Sequence, residues 1–211
     1  RALVLFLIVA SFLASYLVRI FAWRSMLGQN GAINRGLEAI GVVDEPLDFL
    51  LYNRFAVTIA LERHGEIVIG VTYDPTRNEL FAAEKGQGAT LNGKPIRVSA
   101  TESLGASLIC TGFPYDFKRR EDFARHLTQF LLRSRGVRRD GSAAIDMAYV
   151  ACGRFDGMWE EGLNPWDMAA GVLLIEEAGG QVSGYDDSKF SIYSPPMVAD
   201  NGLIHSQMLA V

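Results

Sequence analysis

Short runs of alternating hydrophobic and polar residues fill the first half of the chain after residue 54. Phe55–Leu61, Glu66–Tyr73 and Glu79–Ala83 are rich in the residues that favour strands. Arg63–Gly65 fits a hairpin connection between the first two runs. Asn92–Gly93, with a β-prone run on each side, is the strongest hairpin signal in the chain. This half is therefore predicted to form an antiparallel sheet.

In the second half, segments with helical periodicity alternate with strand-like runs. Phe123, Leu127, Phe130 and Leu131 recur on one stripe, which predicts an amphipathic helix over Glu121–Arg133. A third helix is predicted to begin at Asn164 and to end at Gly179–Gly180, and the other predicted elements are a strand over Ala106–Thr111, a helix over Ser142–Ala151 and a strand over Phe155–Trp159. Helical layers combined with a meandering sheet predict an α+β fold, a layered sandwich.

The amino end has a different character. Ala2–Val18 contains seventeen residues without a charge, between Arg1 and Arg19. Because about 20 apolar residues span a bilayer, this segment has the composition of a membrane anchor. A buried helix and sequence foreign to the rest of the protein are the two alternatives, and all three stay open. The predicted organisation is an apolar segment over residues 1–27, followed by one domain over residues 28–211.

Charge and composition exclude some classes of function. The chain is 49% hydrophobic and 21% charged, with a net charge of −4. Nucleic-acid binding would require a concentrated basic face. The basic clusters here are two arginine pairs, Arg119–Arg120 and Arg138–Arg139, which are typical of solvated surface. No nucleic-acid partner is predicted.

Cysteine and histidine offer no nucleophilic arrangement. Cys110 and Cys152 both lie in apolar runs and are predicted to be buried free thiols. Such usage is typical of a reducing compartment, so a cytoplasmic location is expected, or a membrane-anchored one if Ala2–Val18 is an anchor. His64, His126 and His205 are scattered along the chain and are predicted to be ordinary surface residues.

The start of the third helix carries a carboxylate with two interpretations. Asn164 suits the N-cap, Pro165 suits the first helical position, and Asp167 falls at the third position, beside the free N–H groups. A cap is a complete structural explanation of Asp167. The functional alternative is a metal ligand that the helix start holds rigidly.

Several spaced blocks of sequence carry a resemblance, and the most specific of them is Trp166–Gly180, which reads WDMAAGVLLIEEAGG. This block is similar to the carboxy-terminal signature of the inositol monophosphatase family, whose members are lithium-sensitive and magnesium-dependent. Further blocks follow the family's order and spacing: Gly70–Pro75, Asn78–Phe81, Ala83–Ala89, Leu91–Gly93, Thr111–Pro114 and Gly141–Ala151. This resemblance implies an α-β-α-β-α layered sandwich with an incomplete amino-terminal part.

The resemblance also implies a chemistry: hydrolysis of a small sugar or cyclitol phosphate, with inositol 1-phosphate as the default substrate and Mg²⁺ as the cofactor. Asp167 would bind Mg²⁺ and take part in catalysis. Glu160 would contact substrate hydroxyls, and Gly141 and Ser142 match the loop that faces the substrate. A helix start after Ser142 is also a ready anion site on physical grounds. The family resemblance further implies a homodimer.

The family's second metal-binding signature is only partly matched. Residues 44–49 read DEPLDF, so Asp48 matches the second, catalytic aspartate, and Glu45 or Asp44 would supply another metal ligand. The Gly-Thr pair that follows in the family is missing, and Phe49 stands there instead. Three hypotheses remain: an active phosphatase, a membrane-tethered remnant that binds partners without turnover, and a damaged reading frame before residue 54.

Overall fold

The computed structural model describes residues 56–114, 116–193 and 196–211. The apolar segment at residues 2–18 and the predicted metal ligands Asp44, Glu45 and Asp48 lie outside these ranges. Within the described ranges, no helix combines the length and the apolar composition needed to cross a membrane.

A five-stranded antiparallel sheet occupies the first part of the described chain, and its strands are neighbours in sequence order. The strands are β1 (Val57–Arg63), β2 (Glu66–Asp74), β3 (Glu79–Glu84), β4 (Gly88–Leu91) and β5 (Lys94–Pro95). Both predicted hairpins are confirmed, although Arg63 of the first predicted connection is the last residue of β1 and the turn itself is His64–Gly65. His64 and Gly65 have φ of 54° and 80°, and Asn92 and Gly93 have φ of 50° and 76°, the left-handed conformation that matches the strand twist in tight hairpins.

A second five-stranded sheet is mixed, with the order β7-β6-β8-β10-β9. Its strands are β6 (Leu108–Thr111), β7 (Gly136–Arg138), β8 (Gly157–Glu160), β9 (Gln181–Ser183) and β10 (Met197–Asp200). Strand β6 runs parallel to both β7 and β8, whereas β10 is antiparallel to β8 and β9. The sequence predicted β6 and β8. The other three strands have three or four residues each, too few to show a period of two.

Four α-helices complete the described fold: α1 (Arg120–Arg133), α2 (Ala143–Ala151), α3 (Pro165–Glu177) and α4 (His205–Leu209). The first three confirm the predicted helices to within one or two residues. On the predicted stripe of α1, Phe123 and Phe130 are buried, but Leu131 is 55% exposed. Leu131 therefore lies at the edge of the apolar face and not on it.

The elements stack in layers. Helices α2 and α3 share one hydrophobic core with both sheets, and this core includes Phe81 of β3, Ile145 of α2, Leu174 of α3 and Met158 of β8. A second core joins α1 and α4 to the other face of the mixed sheet. Because α2 is covered on both sides, its eight residues from Ala144 to Ala151 are all buried. This arrangement confirms the predicted α+β sandwich.

Glycine permits two close approaches of helix α3. A Cβ atom on Gly70 of β2 would lie 2.8 Å from the carbonyl oxygen of Ala170 and 3.0 Å from its Cα. A Cβ atom on Gly171 would lie 2.6 Å from both Cβ and Sδ of Met147 in α2. These two glycines therefore set the spacing of α3 from the antiparallel sheet and from its neighbouring helix.

Candidate active site

The parallel strands bring polar loops to one edge of the mixed sheet. Strands β6, β7 and β8 run in the same direction, so the residues that follow them emerge at the same edge. These residues are Gly112 after β6, the segment 139–142 after β7, and Glu160 at the end of β8. Ligands of α/β folds bind beyond the carboxyl ends of parallel strands. The sequence-predicted substrate residues Gly141, Ser142 and Glu160 all belong to this edge.

Glu160 is a buried carboxyl group that lies against a glycine. Its residue is 6% exposed. A Cβ atom on Gly112 would overlap Glu160 Oε1, so only glycine leaves room for the carboxyl group at this position. Burial, and then the negative charge of Asp146 in α2, raise the pKa of Glu160 to about 8, while Arg139 opposes this shift. Around neutral pH the carboxyl group is therefore largely protonated and can donate a hydrogen bond.

The raised pKa of Glu160 makes the stability of the fold depend on pH. The native protein holds this proton up to about pH 8, whereas the unfolded chain releases it near the ordinary value of 4.5. The stabilisation is thus complete below pH 4.5 and is lost as the pH rises through about 8. We expect the Glu160→Gln variant to lose this dependence, which amounts to about 5 kcal/mol in the free energy of unfolding.

Urea unfolding of both proteins at several pH values between 4.5 and 8.5 measures this effect. Glu121→Gln, an exposed substitution in the first turn of α1, is the matched control and should keep the dependence of the unchanged chain. Parallel stability curves for the unchanged chain and Glu160→Gln would contradict the burial of an uncharged carboxyl group.

The start of α2 offers an anion site beside Glu160. Gly141 has φ of +95°, and Ser142 is the extended N-cap residue, but the Ser142 side chain makes no capping hydrogen bond. The Ser142 side chain therefore leaves the first N–H groups of α2 uncapped, and the helix dipole places partial positive charge there. The Arg139 guanidinium reaches the same loop, since its Nη1 would lie 2.9 Å from a Cβ atom on Gly141, and it stacks 5.4 Å from the ring centroid of Phe113.

Asp167 lies at the start of α3, as predicted, and takes part in its cap. Its Oδ2 accepts hydrogen bonds from the backbone N–H of Asn164 at 3.1 Å and from the Asn164 side-chain amide at 3.4 Å. Its Oδ1 accepts no hydrogen bond from any described residue. The cap thus orients the carboxylate and leaves one hard oxygen for a cation, which fits the oxygen ligands that Mg²⁺ requires.

A complete metal site is not formed by the described residues alone. Nowhere in residues 56–114, 116–193 and 196–211 do three His, Cys, Asp or Glu side chains converge as metal ligands. Asp167 would supply one ligand, and the other predicted ligands lie outside the described part of the chain. The metal assignments of Asp44, Glu45, Asp48 and Asp167 remain predictions.

Sequence reasoning missed three residues that shape this site. Gly112, Arg139 and Asp146 surround the Glu160 carboxyl group. The sequence does mark Asp146, because it is the one charged residue in the apolar run of α2. In the structure Asp146 is 1% exposed. The sequence does not mark Arg139, since an exposed arginine pair is typical of any surface.

The prediction for His205 was wrong. This residue is 6% exposed, its Nδ1 lies 2.6 Å from Asp200 Oδ2, and its Nε2 lies 2.9 Å from Ser183 Oγ. The histidine is buried because the short helix α4 packs against β10. The prediction for the cysteines is confirmed in full for buried Cys110, whereas Cys152 is half-buried.

Comparison with known proteins decides the family. The family model described as "Inositol monophosphatase family" matches residues 47–211. The chain belongs to the inositol monophosphatase family. A structure of inositol monophosphatase from Anabaena has 48% sequence identity and a TM-score of 0.70, over 74% of this chain and 62% of that one. An inositol-1-monophosphatase from Synechocystis is 46% identical over 190 residues, which are 86% of this chain and 64% of that protein.

Not every member of the inositol monophosphatase family with high identity is named as an enzyme. The Nus factor SuhB of Escherichia coli is 44% identical over 157 residues, or 74% of this chain and 59% of that protein. The chain spans about three fifths of the length of these curated relatives.

Proposed function

We propose that this protein is a Mg²⁺-dependent phosphomonoesterase that hydrolyses a small sugar or cyclitol phosphate, with inositol 1-phosphate as the first candidate. The observation that carries the proposal is the buried Glu160 carboxyl group, seated on Gly112 at the strand edge where α2 begins. A protonated carboxyl group and free helix N–H groups are complementary to a molecule with hydroxyl groups and a phosphate. Membership of the inositol monophosphatase family supports the same chemistry.

The residues of the candidate active site have separate roles in this proposal. The phosphate would bind at the start of α2, where the N–H groups after Ser142 and the Arg139 guanidinium offer positive charge. Glu160 would hold the substrate hydroxyls, and its burial would fix their orientation relative to the phosphate. Asp167 would hold Mg²⁺ through the carboxylate oxygen that its cap leaves available.

Magnesium, when bound, would neutralise phosphate charge and make water a stronger nucleophile at neutral pH. Asp48, with Glu45 or Asp44, is proposed to complete the ligands, and Asp48 and Asp167 are the proposed catalytic residues. Carboxylates are the side chains that suit such an ion. We also expect a homodimer, from the family resemblance, and a cytoplasmic location, from the two free thiols.

A second candidate function is a binding protein of this family without catalytic turnover. Two observations favour it: the Gly-Thr pair is missing after Asp48, and one close relative carries the name of a Nus factor. Removal of a single residue that supports a metal ligand already lowers metal affinity or activity by about 10–100-fold.

Phosphate release by the purified chain tests the first candidate against the second. With inositol 1-phosphate or fructose 1,6-bisphosphate as substrate, we expect release in Mg²⁺ and a fall of more than about 100-fold when the metal is removed with a chelator. Circular dichroism establishes that each sample is folded. A folded sample that releases no phosphate from either substrate in Mg²⁺ would favour the binding protein.

A further inference from the structure

A buried histidine outside the candidate active site connects α4 with the mixed sheet and with a loop. His205 is the first residue of α4, and its Nδ1 lies 2.6 Å from Asp200 Oδ2 of β10. Its Nε2 lies 2.9 Å from Ser183 Oγ, at the end of β9. The same Nε2 lies 3.3 Å from Asp187 Oδ1, in the loop 184–188 that follows β9. One imidazole ring therefore contacts two strands and a loop.

The contacts of Nε2 require a proton on this nitrogen. The Ser183 hydroxyl donates to the carbonyl oxygen of Gly184 at 2.8 Å, so the hydroxyl oxygen presents a lone pair to the ring. The Asp187 carboxylate is a second acceptor beside the same nitrogen. A nitrogen that faces two acceptors must carry hydrogen, because lone pairs in contact at 2.9 Å would repel each other. Nε2 of His205 is therefore a donor.

The other ring nitrogen shares a second proton with a buried carboxyl group. Asp200 is fully buried, and its Oδ1 accepts the backbone N–H of Gly202 at 2.7 Å. Burial raises the pKa of Asp200, and the hydrogen bond with His205 opposes this rise. A contact of 2.6 Å between Nδ1 and Oδ2 needs a proton between the two atoms. The His205–Asp200 pair thus holds two protons.

The charged groups that face the ring are both acidic. They are Asp200 from β10 and Asp187 from the loop, whereas β9 contributes only the neutral hydroxyl of Ser183. Among the residues that the structure describes, neither aspartate forms an ion pair with a lysine or an arginine. The protons of His205 are therefore the source of positive charge for both carboxyl groups.

Loss of the Nε2 proton would weaken the attachment of the loop 184–188. A bare Nε2 is an acceptor, so the Ser183 hydroxyl would have to turn towards it and leave the carbonyl oxygen of Gly184. The Asp187 carboxylate would then face a lone pair. Asp187 has φ of 60°, a conformation that residues other than glycine seldom adopt. The loop thus depends on outside contacts to keep this shape.

The same loop is joined to the end of β8. The Tyr185 hydroxyl donates to Glu161 Oε1 at 3.3 Å, and Glu161 directly follows Glu160, the last residue of β8. Release of the loop would therefore loosen a contact beside the candidate active site.

We propose that His205 is a pH-sensitive latch, in which the proton on Nε2 holds the loop 184–188 against β9 and α4. The attached loop binds this proton more tightly than the released loop does, so the attachment is present at low pH and is lost as the pH rises. The latch is independent of the proposed phosphatase activity, because none of its residues has a role in substrate or metal binding there.

Nitrogen NMR of the imidazole groups between about pH 5 and about pH 9 tests the latch. The chain has three histidines, and the variants His64→Asn and His126→Gln assign the His205 signals by elimination. We expect both His205 nitrogens to be protonated at the acid end and Nε2 to lose its proton as the pH rises.

Amide hydrogen exchange on the same samples reports the state of the loop. The N–H of Gly184 donates to the Ser188 carbonyl at 3.0 Å, and the N–H of Asp187 donates to the Gly184 carbonyl at 3.2 Å. Both bonds close the loop. After correction for the intrinsic pH dependence of exchange, both amides should exchange at least about tenfold faster once Nε2 has lost its proton.

Two aspartate variants in the loop provide a matched comparison. Asp187→Asn keeps an oxygen but removes the charge that favours the Nε2 proton, so the midpoint of release should fall by about 0.5–1 pH unit. Asp186→Asn removes the same charge from the adjacent residue, whose Oδ1 accepts the backbone N–H of Ser188 within the loop, and should leave the midpoint nearly unchanged.

Three results would each overturn the latch and make His205 a fixed structural contact. The first is an Nε2 atom that holds, or lacks, its proton over the whole pH range. The second is loop exchange that does not respond when Nε2 loses its proton. The third is an equal shift of the midpoint in Asp187→Asn and Asp186→Asn.

Discussion

Replacement of Asp167 by asparagine is expected to reduce Mg²⁺-dependent phosphate release by more than about 100-fold while the fold stays intact. The amide has nearly the shape of the carboxylate but no charge, so it is a poor ligand for a hard cation. Its oxygen can still accept the backbone N–H of Asn164, which lies 3.1 Å from the carboxylate oxygen, so α3 keeps its start. The asparagine variant therefore keeps the cap and removes the charge, which distinguishes Asp167 as a helix cap from Asp167 as a metal ligand.

Two measurements on the same samples check this result. The rate of phosphate release is measured over a range of Mg²⁺ concentrations, and the free energy of unfolding is measured in metal-free buffer. Glu121→Gln, which also removes a carboxylate from the first turn of a helix, is the control and should change neither quantity appreciably. Full activity of Asp167→Asn would reduce Asp167 to a cap residue.

The largest loss of stability is expected from Gly70→Ala. The added Cβ would lie 2.8 Å from the carbonyl oxygen of Ala170 and 3.0 Å from its Cα. Both atoms belong to the backbone of α3, so no side-chain rotation can relieve the clash, and the antiparallel sheet must move away from the helix. Overpacking of a core typically reduces stability by about 1–3 kcal/mol, and we expect a value at or above the upper end here.

Gly136→Ala is the matched control for this substitution. Gly136 also lies in a strand, but its nearest side-chain atom is 3.7 Å from the added Cβ, which is ordinary contact. Denaturant unfolding should therefore give nearly unchanged stability for Gly136→Ala and a much lower midpoint for Gly70→Ala. Equal midpoints for the two variants would mean that β2 and α3 are not in close contact in solution.

Local signals explain which parts of the fold could be predicted. The hairpin at Asn92–Gly93 requires only two residues with positive φ, and the helix α3 carries its own start in Asn164 and Pro165. Strand β10, Met197–Asp200, is buried along its whole length and has four residues, so no alternation marks it. Its place between β8 and β9 depends on contacts between distant parts of the chain.

The candidate site likewise has residues that the sequence could predict and contacts that it could not. Asp167 could be selected from the sequence because it belongs to the block Trp166–Gly180, which resembles the family. Glu160 could be selected because it lies seven residues before Asp167, where the resemblance implies a contact with substrate hydroxyls. The environment of Glu160 could not be derived, because Gly112 is 48 residues away in the chain and meets its carboxyl group only when β6 and β8 pair. A raised pKa is a property of that assembled contact and leaves no mark in the local sequence.

The proposed substrate contacts lie at the ends of strands, and this location affects which substitutions the fold tolerates. The ladder between β6, β7 and β8 is made by backbone atoms. Of the proposed substrate contacts, the segment 139–142 lies just beyond β7, and Glu160 is the last residue of β8. Under the proposed function, side-chain substitutions at these positions would alter substrate choice and leave the backbone pairing of the strands in place. New specificity is therefore accessible by single substitutions, except at Gly112, where any larger side chain displaces Glu160.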